Sequence, residues 1–216
     1  MDLEYIFRLT GALLSGAGTT LWLFAIVLVL SIPIGFIITL LLRCKIKPLR
    51  WLVNAYVYVV RGTPLLLQLL VVYFGTNIIF AGIFRIDRED AAALAFVLNY
   101  SAYFAEIFRG GLLAIDKGQY EACKVLGLNK LQTNIHVIIP QMFRVSLPSV
   151  TNEAITLVKD TALLYAVSVP EILHYAKAAV VRDSDMTAFA IAAVIYLVMN
   201  TIFTLIFTKI EKKMSY

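Results

Sequence analysis

Residues 9–42, 62–84 and 186–208 contain no Asp, Glu, Lys or Arg, giving uncharged runs of 34, 23 and 23 residues. The hydrocarbon core of a bilayer is about 30 Å thick and takes roughly 20 helical residues to cross. Each run is long enough. A water-soluble domain of 216 residues could not hide them, because 61% of the chain is hydrophobic, only 15% is charged and the mean hydropathy is +0.84. The expected fold class is all-α, a polytopic membrane protein.

The remaining charges set the boundaries. Five spans are expected, at about 19–42, 64–82, 91–113, 138–158 and 186–208, the fourth interrupted by Pro148. The segments between them alternate in charge. Segments 43–61, 106–144 and 209–213 hold 13 basic and 4 acidic residues, against 6 basic and 10 acidic in 1–8, 85–90 and 153–185. Basic loops stay in the cytoplasm, which places the N-terminus outside and the C-terminus in the cytoplasm of a multi-pass protein of the cell membrane. The net charge of +5 is thereby read as membrane orientation and not as a nucleic-acid surface. The opening MDLEY is acidic and lacks the basic region of a cleaved signal peptide, so the first run is expected to stay as an anchor. Cys44 and Cys123 fall in the basic segments, where thiols remain reduced, and two isolated cysteines make neither a disulfide nor a metal framework. No internal repeat is visible, which leaves the inverted-repeat design of many secondary transporters without support.

In RGTPLLLQLL, Thr63 has the chemistry of an N-cap and Pro64 that of a first helical residue, so a helix is expected to begin there. The basic stretch before it carries Trp51, Tyr56 and Tyr58, and its helix is expected to lie in the interface. Residues 119–140, QYEACKVLGLNKLQTNIHVIIP, are polar in a chain that is otherwise mostly apolar. Asp116 and Gln119 have the spacing of a capping box, and Gly127 suits the left-handed position that ends a helix. A short helix over 117–126 follows. A helix of about ten residues does not persist alone in water, so it needs a surface: its own bundle, as an ordinary loop helix, or another protein.

The order Glu121-Ala122-Cys123, then Gly127, then Val137-Ile138-Ile139-Pro140 resembles the EAA loop of ATP-binding-cassette importer permeases. That pattern is E-A-A, three residues, G, nine residues, I-x-L-P. Every spacing matches, and the departures (Cys123 for Ala, Val137 for Ile, Ile139 for Leu) are small or apolar. Further stretches, RGTPLLLQ (61–68), YFG (73–75), SAYFAEIFRGGLLAIDKGQYEA (101–122), PQMFRVSLPSVTNEAITLVKDTAL (140–163) and VPEIL (169–173), are similar to recurring blocks of the polar amino acid branch. The resemblance implies a coupling helix seated in a cleft of an ATPase subunit, with Glu121, Ala122, Cys123, Gly127 and Pro140 as its signature positions. It also implies a machine of two permease subunits, two ABC ATPase subunits and an extracytoplasmic solute-binding protein. Whether the second permease is another copy or a homologue stays open, as does the amino acid carried. The chain has no G-x-x-x-x-G-K-[ST] and no Gly-Lys dipeptide at all, so it is not expected to be an enzyme. No cofactor is expected on this chain, and ATP and magnesium belong to the partner ATPase.

A charged side chain near the bilayer centre costs about 3 kcal/mol or more and faces a cavity or a partner. Glu106 and Arg109 lie three apart and can pair at the end of the third span. Arg144 is read as a snorkelling residue where the fourth helix enters the membrane. From there to Glu153 the helix rises roughly 13 Å, which places Glu153 near the midplane. Glu153, Thr156 and Asp160 share one face, and Lys159 lies beside them to neutralise Asp160. Acidic groups there suit the ammonium of an amino acid, although the same residues could instead hold the helix against a partner subunit. Asn99, Tyr100 and Ser101 could line the same path or bond neighbouring helices. His136 and His174 lack any ligand spacing, so neither a metal site nor catalytic residues are expected. A second reading of the residues is an ion- or proton-coupled carrier or channel that works without an ATPase. A third, an intramembrane hydrolase, lacks a Ser/His/Asp motif.

Overall fold

A backbone in hydrocarbon has no water to bond and must satisfy itself within helices. The computed structural model of the chain describes residues 3–79 and 85–214, and every regular element among them is helical. α1 (Leu3–Leu14) turns at Ser15 and Gly16 into α2 (Ala17–Leu42). α3 (Lys47–Gly62) leads through a sharp bend into α4 (Leu65–Leu70), which continues by a π-helical stretch (Val71–Gly75) into α5 (Thr76–Ile79). α6 (Arg88–Leu113) precedes α7 (Lys117–Val125), α8 (Lys130–Gln132) and a second π-helical stretch (Thr133–Ile138) that runs into α9 (Ile139–Asp160). A 3-10 stretch (Thr161–Val167), α10 (Ile172–Asp183) and α11 (Thr187–Met214) follow.

Among the described residues, three helical stretches are long and apolar enough to cross a bilayer: Leu3–Leu42, Arg88–Leu113 and Thr187–Met214. α3 with α4 and α5, bent by 109°, makes a fourth if it is counted as one broken span. α9 has the length, at 22 residues, but Arg144, Glu153, Lys159 and Asp160 keep it below that apolar standard. A fifth crossing by α9 therefore requires its charged face to turn away from lipid. Of the expected span 64–82, residues 80–82 lie outside the described residues.

α6 is the axis of the bundle. Phe96, Tyr100, Phe104 and Phe108 recur every four residues, are buried, and form a ladder of rings 6.3–6.4 Å apart. α2 crosses its flank through Ser31, Gly35 and Thr39, which are buried at the same spacing. Apolar side chains gain little by exchanging lipid for protein, so small residues that let backbones approach decide such contacts. Thr39 Oγ1 donates to the Ala105 carbonyl at 2.9 Å, and a side chain at Gly35 would meet Phe104 Cβ at 2.7 Å.

Three local expectations are corrected. The helix expected to start at Pro64 starts at Leu65, with Pro64 extended at its N-cap position. Thr63 does not cap it. Its hydroxyl donates back to the Val59 carbonyl at 2.9 Å and accepts from Gln68 Nε2 at 2.8 Å. Gln68 Nε2 also donates to the Val60 and Thr63 carbonyls, which the bend would otherwise leave open. Pro148 does not interrupt α9, which is helical throughout Ile139–Asp160. Outside the expected spans, α1 and α10 pack on each other and on α11, with Leu9 and Leu13 in one cluster with Ile172, Ala176, Ala188 and Ala192. α10 is fastened by Glu171, a fully buried carboxylate. It accepts from the Leu173 and His174 amides at 2.8 and 2.6 Å and from the Tyr196 hydroxyl of α11 at 2.6 Å. α3 does expose Trp51 and Tyr58, as an interfacial helix should.

Candidate functional site

Two groups of residues stand apart from the apolar packing. The first is α7, the short helix expected over 117–126. Asp116 opens it by accepting from the Gly118 amide at 2.6 Å. The capping box expected with Gln119 does not close, because Gln119 Oε1 instead accepts from Gln141 Nε2 of α9 at 3.0 Å. A true box forms one turn later, where Asn129 and Gln132 exchange side-chain and backbone bonds. Gly127 takes φ +74°. The Gly127 amide reaches the Lys124 carbonyl at 3.1 Å and the Leu128 amide the Cys123 carbonyl at 3.0 Å. This paired closure needs a left-handed residue, hence glycine.

The five signature positions separate by exposure. Glu121, Ala122 and Gly127 are open to the outside, together with Val125 and Leu126 at 87% and 77% exposure, whereas Cys123 is buried. The thiol therefore seats α7 on its own bundle. Pro140 is exposed where the π-helical stretch passes into α9. Large apolar side chains left this open on a helix of nine residues make a surface fit for a partner.

The second group lines the contact of α6 with α9. Tyr100 donates its hydroxyl to Asp160 Oδ2 at 2.8 Å. Glu153 and Thr156 are half-buried on the same side of α9, and no hydrogen bond or ion pair to Glu153 forms among the described residues. Lys159 lies beside Asp160 in sequence and is exposed, and it makes no ion pair with Asp160 among the described residues. Of the other expected path residues, Asn99 turns to Gln68 of α4, donating to Oε1 at 3.0 Å. Ser101 is completely buried and its hydroxyl finds no partner. Successive residues of an α-helix point about 100° apart, so Asn99, Tyr100 and Ser101 do not all face one path.

The expected pair of Glu106 and Arg109 is present, with Arg109 Nε on Oε2 at 2.8 Å and Nη2 on Oε1. The structure adds Arg61 from α3, 3.7 Å from Glu106 Oε1 and 5.4 Å from the centre of the Tyr103 ring. Nothing in the local sequence ties Arg61 to residues 103–109; the packing of α3 on α6, where Val57 clusters with Ala102 and Ala105, brings it there. No cluster of metal-ligating side chains forms among the described residues.

Apolar helices of membrane-crossing length, ionisable groups gathered along one side and a capped helix with an open apolar rim define a class: a polytopic subunit that carries a polar solute through a bilayer in concert with another protein. The chain belongs to the family of binding-protein-dependent transport system inner membrane components, whose model matches residues 31–216. It is a permease subunit of that importer family, as the EAA-loop resemblance implies. Over 208 residues it is 36% identical to the arginine ABC transporter permease protein ArtM of Haemophilus influenzae, covering 93% of this chain and 91% of that one. Over 204 residues it is 34% identical to the arginine transport system permease protein ArtQ of Bacillus subtilis, covering 94% and 92%. A crystal structure of an amino acid ABC transporter with histidines superimposes with a TM-score of 0.91 at 31% identity, covering 99% of each chain.

Proposed function

We propose that this permease imports a polar amino acid handed over by an extracytoplasmic solute-binding protein. α7 is driven by a cytoplasmic ATPase subunit that holds ATP and magnesium, and the N-terminus lies outside. A second permease, a copy or a homologue, supplies the other half of the path. One observation carries this reading: α9 keeps Glu153 and Asp160 on one side, one unpaired and one held by Tyr100, in a helix that otherwise meets an apolar bundle. Such carboxylates are kept inside a membrane where they face a polar solute. An ammonium group would take a charge-assisted hydrogen bond there, worth about 1.5–3 kcal/mol. Relatives named for arginine and cystine transport agree in substrate class.

Glu153→Gln, which keeps the shape and removes the charge, should weaken ATP-dependent amino acid uptake or shift its preference among basic, neutral and acidic substrates. Assembly with the ATPase should survive. Poor assembly with unchanged preference would make Glu153 a packing residue, and uptake that continues without the ATPase would return the chain to the carrier class.

A further inference from the structure

We propose that Arg61 reads the α-carboxylate of the transported amino acid, so that the path recognises a zwitterion and not simply an amine. The inference rests on the reading of the α6–α9 contact as the solute path. An acidic site alone would accept any ammonium compound. An amino acid carries a carboxylate beside its ammonium group, and discriminating it from an amine needs a cation close to the acids.

Arg61 has that position and that freedom. Both oxygens of Glu106 are already engaged by Arg109, so Arg61 at 3.7 Å is beyond hydrogen-bond distance of the carboxylate it accompanies. Its guanidinium keeps its fork of donors open, and its side chain is 40% exposed. The face of Tyr103, 5.4 Å away, backs it without consuming a donor. It opens on a cleft of about 510 Å³ lined also by Asn54, Tyr58, Tyr103, Glu106 and Arg109, larger than any single amino acid. From this cleft the rings of Tyr103 and Tyr100, 6.4 Å apart, lead to Asp160, which the Tyr100 hydroxyl holds at 2.8 Å. A guanidinium with free donors thus stands at one end of this run of rings and a carboxylate at the other, with the unpaired Glu153 on the same side of α9. A planar guanidinium with free parallel donors suits a carboxylate better than an ammonium would.

The test uses the assembled transporter in detergent without its binding protein, so that the permease's own selectivity is read. Binding of radiolabelled L-arginine and of L-histidine is competed with the free acids and with their α-carboxamides, which lack only the negative charge. Wild type should prefer the acid over the amide by about 10- to 100-fold. Arg61→Gln should collapse that preference by weakening the acid while leaving the amide unchanged, and Arg61→Lys should fall between. A merely structural role would weaken acid and amide alike, and that result overturns the assignment. Undiminished preference in Arg61→Gln, with Glu153→Gln still impairing both ligands, would also overturn it while leaving the solute path standing. Equal binding of acid and amide by wild type would remove the zwitterion reading and Arg61 with it.

Discussion

Gly110 and Gly111 are neighbours in α6, yet adding one methyl group to each should have opposite effects. At Gly110 a Cβ would have nothing within 4 Å. The substitution Gly110→Ala removes backbone freedom from the unfolded chain and should stabilise by about 0.5–1 kcal/mol. At Gly111 the added carbon would overlap Ser146 Oγ of α9 and lie 3.1 Å from the Met142 carbonyl oxygen. Ser146 can rotate away by giving up its 3.4 Å bond to the Ile107 carbonyl. The Met142 carbonyl belongs to the α9 backbone and can yield only if the helices part. Overpacking of this kind costs about 1–3 kcal/mol, against the same intrinsic helix gain. The two variants should therefore differ by roughly 1–3 kcal/mol, or several degrees at about 2–4 °C per kcal/mol for a chain of this size. The assay is the thermal midpoint of the assembled, detergent-solubilised transporter, followed by loss of its monodisperse chromatographic peak. Adding Ser146→Ala to Gly111→Ala should recover part of the loss and not all, since the Met142 contact remains. Equal or greater stability of Gly111→Ala over Gly110→Ala would refute the close α6–α9 crossing.

Two more outcomes are expected. An impermeant maleimide should leave Cys123, at 3% exposure, unlabelled in both intact cells and inside-out vesicles. With the N-terminus outside, Cys44 should react only in the vesicles and an Asp87→Cys variant only in cells; reaction of Cys44 in cells would reverse the orientation. At the contact of α1 with α10, Arg182 and the Tyr5 hydroxyl hold the Asp183 carboxyl down at about 2, against about 3.9 for a free aspartate. A lowered pKa contributes stability above the unfolded value and loses it as pH falls through the folded one. The difference in thermal midpoint between wild type and Asp183→Asn should thus stay flat from pH 8 to 5, and a change within that range would contradict the pairing.

Residues 116–140 were the most legible part of the site, because their signals are local. Asp116 and Gly127 act through the backbone conformation of their immediate neighbours, and the structure uses them to start and stop α7. Even there Gln119 was misread, since its partner Gln141 lies beyond the turn and no spacing rule links them. The face of Glu153, Thr156 and Asp160 was legible for the same reason, helical periodicity. Their partners were not. Tyr100, Arg61 and Gln68 belong to other helices, and their contacts depend on how α3, α4 and α6 cross.

Uncharged length determined that the chain spans a membrane, because hydrocarbon tolerates neither free backbone groups nor exposed charge. Local spacing determined where α7 begins and ends. Neither could say that Ser31, Gly35 and Thr39 would bring α2 against α6, that Glu171 would be buried to hold α10 to Tyr196, or that α3 would pack on α6 and set Arg61 beside Glu106. Lipid is as apolar as the side chains it surrounds, so hydropathy drives a helix into the membrane without choosing its neighbours. That choice falls to close backbone approach and a few polar contacts, which exist only once the helices have packed.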